Sequence, residues 1–76
     1  MASNYLHDLG ELLAEMATRA KDEYQAGRSS EEASYLLGRL TAMHEVISLM
    51  QQQAMAFGLP LQELSLEGID PDRDLL

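Results

Sequence analysis

Residues 33 to 57 constrain this chain more than any other stretch. Ala33, Leu36, Leu40, Met43, Ile47, Met50, Ala54 and Phe57 follow one another by alternating steps of three and four, the spacing that holds side chains on one face of an α-helix. A second row, Tyr35, Ala42, Leu49 and Ala56, runs beside the first at steps of seven and is joined by Val46. The polar remainder is narrow: Ser34, Gly38, Thr41, Glu45, Ser48 and Gln52. A surface helix needs one apolar stripe facing its core. Two rows call for two neighbours.

The first neighbour lies upstream. Leu6, Leu9, Leu13, Met16, Ala20 and Tyr24 step by three and four along one helical face, widened by Tyr5, Leu12 and Ala17. This predicts a first helix capped by Ser3 or Asn4 and running to about Ala26, with Gly27 in the left-handed position that often ends a helix. In "SSEE", Ser29 and Glu32 have the spacing of a capping box, which starts a second helix over about 30–57. So short a connection folds the two helices back as an antiparallel hairpin. At 1.5 Å per residue the second helix is roughly 40 Å long, and Leu6 comes opposite about Met50. Ala54, Met55 and Phe57 then project past the first helix and need another cover.

The expected fold is therefore all-α: residues 1–58 form the hairpin, and residues 59–76 a short helical turn and an acidic tail. Pro60 can open that turn through Glu63 or Leu64. Leu59, Leu61, Leu64, Leu66 and Ile69 are available to pack on the overhang. "DPDRDLL" can start a last turn capped by Asp70, and residues 70–76 are expected to be mobile without a partner. The second neighbour of the second helix is most simply another copy of the hairpin, giving a homodimeric four-helix bundle. Its core and dimer interface are expected at Leu36, Leu40, Met43, Val46, Ile47, Leu49, Met50 and Phe57. Chain length points the same way. Seventy-six residues without a cysteine have neither disulfides nor thiolate–metal sites to staple a small core, which leaves oligomerisation.

Charge excludes several function classes. The net charge of −8 is spread as −2 over residues 1–28, −2 over 29–58 and −4 over 59–76. Phosphate recognition depends on clustered Lys and Arg, and only five such residues are scattered along the chain. Direct nucleic-acid binding is not expected, nor is an anionic-membrane helix. No apolar run approaches the ~18 residues of a membrane span. "MASNYLHDLGELL" has neither the basic nor the continuous apolar region of a signal peptide. A cytoplasmic protein is the expectation.

Motifs for chemistry fall short of their requirements. "HEVIS" at 44–48 resembles a zinc-protease helix, but Ser48 stands where the second imidazole is needed. Thr41 and Asn4 occupy the positions that a di-iron Glu-x-x-His pair requires before His44 and His7. "DPDRD" spaces three carboxylates as a calcium loop begins, yet Leu75 replaces the glycine required at its sixth position. "DRDLL" has the form of an acidic dileucine peptide, a pattern too short to carry weight. The serines fall at caps, on an exposed helical face and in the tail, not in a setting that activates a nucleophile. No catalytic residue, cofactor or metal is expected.

The reading that remains is a non-enzymatic interaction module, a homodimeric helical regulator or adaptor. Asp70, Asp72, Asp74, Leu75 and Leu76 are the candidates for contact with a protein partner. Met43, Met50, Met55 and Phe57 form an adaptable apolar end to the second helix, although ordinary core is the simpler account. The alternative is an acidic antagonist: an immunity protein, an antitoxin-like inhibitor or a nucleic-acid mimic presenting carboxylates to a basic partner.

Overall fold

The computed structural model describes residues 2–76. Helix α1 spans Ala2–Ala26 and helix α2 spans Ala33–Ala56, packed against each other as an antiparallel hairpin. A 3-10 turn, Leu61–Leu64, and a one-turn helix α3, Pro71–Asp74, follow in a strap made of residues 59–76. The described residues contain no strand. The molecule measures 43 × 20 × 16 Å.

Helix periodicity holds, but the ends differ from expectation. α1 begins at Ala2, upstream of both Ser3 and Asn4, so neither is its cap. Gly27 does not take the left-handed conformation; among the described residues only Ser65 and Gly58 have positive φ. Gly27 serves instead as a close-packing site, since a Cβ there would press on the Leu36 side chain and the Glu23 carbonyl. The expected capping box does not form. The Glu32 side chain makes no cap bond, and Ser30 Oγ instead accepts from the Glu32 amide at 3.2 Å and donates to the Gly27 carbonyl at 2.7 Å. At the other end, α2 closes in a Schellman arrangement around Gly58 at φ +70°, where the Leu59 amide donates to Ala54 and that of Gly58 to Met55.

The strap covers one face of the hairpin along much of its length. Residues Gly10, Ala14, Thr18 and Lys21 of α1 lie under Leu64 to Leu75, and Ser48, Gln51 and Met55 of α2 lie under residues 70–72. Gly10 makes the close approach possible: a Cβ at this position would fall inside the Leu64 carbonyl group. Gln51 satisfies two strap carbonyls, donating to Leu66 at 3.2 Å and Ile69 at 2.8 Å. Asp70 caps α3 by accepting from the amides of Asp72 and Arg73, and Pro71 at the first helical position has no amide to satisfy.

Residues 70–76 are thus held in the fold, against the expectation of a mobile tail. Leu75 is 1% exposed, Lys21 Nζ donates to the backbone oxygen of Leu76 at 2.8 Å, and His44 Nε2 lies 2.8 Å from an Asp72 carboxylate oxygen. The core joins Ala17 of α1 and Leu40, Ile47 and Ala54 of α2 to Leu64, Leu66 and Leu75 of the strap. Three of its seven members belong to the final quarter of the chain.

Candidate interaction surface

The face opposite the strap has no cover. On α1, the residues beneath the strap recur as 10, 14, 18 and 21, and those half a turn away are Tyr5, Leu12 and Met16. On α2, His44, Ser48, Gln51 and Met55 turn toward the strap, while Tyr35, Ala42, Val46, Leu49 and Gln53 turn away. Tyr5 and Tyr35 are about two-thirds exposed, at 66% and 65%, and Leu12 and Leu49 more than half, at 57% and 58%. Met16 and Val46 are each about two-fifths exposed. The Glu23–Arg39 ion pair ties the two helices together toward the turn end.

Six large apolar side chains fall on this one face in two parallel rows. Taking roughly 150–250 Å² for each large side chain in full exposure, they leave on the order of 600 Å² uncovered, the upper end of what a monomer usually shows in one patch and a size that is often functional. A compact monomer of this mass exposes about 4,700 Å²; this chain exposes 5151 Å². Its radius of gyration, 13.3 Å, also exceeds the roughly 11 Å of a compact chain of this length.

At the open end of the hairpin this face meets an apolar pocket of about 300 Å³ lined by Leu6, Leu49, Met50, Gln53, Ala54, Phe57, Leu59 and Leu64. Gln53 is its one polar lining residue. Phe57 and Met55, expected to find cover beyond the first helix, are the most exposed large apolar side chains described, at 77% and 73%.

The sequence-predicted interface residues therefore divide. Leu40 and Ile47 are buried within the single chain; Leu36, Met43 and Met50 are half-buried in the groove between elements; Val46, Leu49 and Phe57 face outward. From spacing alone Met16 reads as part of the hairpin core, and Tyr5 and Leu12 as its broadening; the structure turns all three outward. The signal for this was Gly10. A glycine inside a helix costs about 1 kcal/mol relative to Ala, and one that admits a backbone carbonyl marks the covered face, so the residues half a turn away are bare.

The tail candidates also divide. Asp70 and Asp72 are exposed, Asp74 half-buried, Leu75 fully buried and Leu76 exposed. Arg73 donates to both carboxylate oxygens of Asp74, from Nε at 2.8 Å and from a terminal nitrogen at 2.9 Å. Asp74 also accepts from the Asp70 amide at 2.9 Å. These bonds, the Arg73 side chain first and the Asp70 amide second, lower its pKa to about 2 and raise that of Arg73.

On the outer side of α1, His7, Asp8 and Glu11 bring one possible ligand atom each to within 4.8 Å of one another. All three are exposed, and the His7 ring nitrogen lies 3.9 Å from Asp8 and 4.0 Å from Glu11, the pattern of a solvated charged face. Among the described residues no helix is long and apolar enough to cross a membrane. Comparison with known proteins adds no family assignment: no family model, no curated protein and no solved structure matches the chain.

Proposed function

We propose that this protein is a non-enzymatic interaction module that works as a homodimer, two strapped hairpins meeting face to face as a four-helix bundle, in the role of a small regulator or adaptor. The observation that carries this reading is the asymmetry of the hairpin: one face is sealed by the chain's own residues 59–76, and the opposite face presents Tyr5, Leu12, Met16, Tyr35, Val46 and Leu49. A standard stable interface removes about 800 Å² from each partner. The six side chains supply most of that, and the flanking Leu9, Ala42 and Gln53 can supply the rest. An identical copy is the simplest occupant because the patch is apolar on both helices and a two-fold interface uses the same patch on both copies. The monomer core supports the same conclusion, since Ala17, Ala20 and Ala54 account for three of its eight fully buried apolar residues.

Within the dimer, the strap faces point outward on both sides. They carry Asp70, Asp72 and the half-exposed pocket between Ser48, Gln51 and the α3 turn, and this is the surface available to a protein partner. A second reading, the acidic antagonist, is favoured by one observation. Asp8, Glu11, Glu15, Glu45, Glu63 and Glu67 fall in residues 1–15 and 45–69, two stretches without Lys or Arg. Such a field would speed encounter with a basic site.

The test of the dimer is the double variant Leu12→Asp/Leu49→Asp. Both residues are outside the monomer core, so helicity by circular dichroism should persist while the mass falls to that of one chain. Loss of helicity together with dimerisation would instead assign these residues to the core. Affinity purification of the tagged protein from its native cell separates the two roles. A basic enzyme or nucleic-acid-binding protein as dominant partner favours the antagonist, and a signalling or transcription component the adaptor.

A further inference from the structure

We infer that the two hairpins pair antiparallel, with their turns at opposite ends, and that Tyr35 of each copy fills the apolar pocket at the open end of the other. The inference rests on the dimer reading above and adds its arrangement and its anchor residue.

Register supplies the first argument. The bare row of α2 is centred near residue 44, with Tyr35 nine positions before and Gln53 nine positions after. At 1.5 Å per residue each lies about 13 Å from that centre. A two-fold axis crossing the face there sets α2 against α2 of the partner and brings Tyr35 over Gln53. Gln53 is the polar member of a pocket otherwise walled by apolar residues including Leu6, Leu49, Met50, Phe57 and Leu64. A tyrosine suits this place: the ring buries apolar area, and the phenol finds the amide of Gln53.

The same axis orders α1. Leu6 shares the pocket with Met50, so Leu12 is level with residue 44 and falls on the axis against its own copy. Tyr5 and Arg19 stand seven positions to either side of Leu12. Each exposed Tyr5 therefore meets the partner's guanidinium, a favourable stacking of cation on ring.

Charge supplies the second, independent argument. On the two helices, the open half beyond the axis at Leu12 and residue 44 holds Asp8, Glu11 and Glu45 and no Lys or Arg, whereas the turn half holds Arg19, Lys21, Arg28 and Arg39 against five acids. Antiparallel pairing lays each acidic open half on the partner's turn half. Parallel pairing would align these three carboxylates with their own copies, a like-charge juxtaposition that costs binding.

The chain has no cysteine, so a single spin label can be placed by Ser29→Cys in the exposed turn. Pulsed dipolar spectroscopy on the full chain should then give a label-to-label separation of about 45 Å, twice the fifteen-residue distance from turn to axis at 1.5 Å per residue. A distance below about 25 Å, with the turns side by side at the helix-packing separation, would overturn the antiparallel arrangement and leave the dimer standing. No dipolar coupling at micromolar concentration would overturn both. The anchor is tested separately. Two pockets empty in Tyr35→Ala, so dimer affinity should fall about 100-fold, as loss of a buried tyrosine anchor predicts, while Tyr35→Phe stays within a few-fold of the parent. Unchanged affinity in Tyr35→Ala would overturn the anchor and leave the pocket to another occupant.

Discussion

Gly10 of α1 and the carbonyl group of Leu64 meet with no room for a Cβ between them. This contact lets the strap lie flat on the hairpin and decides which face of the molecule is closed. Gly10→Ala should therefore lift the 3-10 turn and lower stability by about 1–3 kcal/mol, the usual cost of overpacking, despite alanine's better helix propensity. Gly38 is the control. Nothing lies within 4 Å of a Cβ at that position, so Gly38→Ala should stabilise by up to about 1 kcal/mol. Urea unfolding of the two variants should move in opposite directions.

The strap belongs to the core. Leu75 is 1% exposed among Leu64, Leu66 and the helices, and Leu75→Ala should cost about 2–5 kcal/mol. Deleting residues 70–76 should do at least as much harm, since it also removes the Asp70 cap and the Lys21 bond to Leu76. A truncated protein with unchanged melting temperature would show the strap to be dispensable.

How far the sequence revealed this follows from what each signal reports. The two helices, their antiparallel pairing and the turn opened by Pro60 were legible because three-and-four spacing and proline chemistry are local. The packing of the last seven residues was not. "DPDRDLL" looks like a solvated tail, and only three-dimensional proximity to Ala14, Lys21 and His44 gives Leu75 and Asp72 their partners. For the same reason Ser48 reads from sequence as a silent polar position, yet it borders Asp70 and Asp72. A carboxylate at Ser48 would repel them. The apolar second row of α2 was visible in sequence; its continuation on α1 became clear only once the strap fixed which side was covered.

Acid should loosen the strap in a defined window. The folded pKa of Asp74, about 2, lies below the ordinary carboxylate value near 3.9. Its contribution is therefore complete above about pH 4 and is lost as pH falls toward 2. Thermal melts of the parent should show this decline between those values, and Asp74→Asn should start less stable at pH 7 and show a shallower decline. Equal slopes for the two proteins would separate Asp74 from the acid transition.

Neighbouring residues on α2 should respond oppositely to the same charge. Ile47 is 0% exposed inside the monomer and Leu49 is 58% exposed on the bare face. Ile47→Asp should unfold the chain, because a buried carboxylate without a partner has no compensation. Leu49→Asp should keep a cooperative helical melt and lose the rise of melting temperature with protein concentration.

The central claim is that the bare face is closed by a second copy of the chain. Light scattering coupled to size exclusion, at micromolar concentration and moderate salt, tests it most directly. The account predicts a mass of about 17 kDa, twice the 8.5 kDa of one chain. A mass of 8.5 kDa that does not rise with concentration would contradict it.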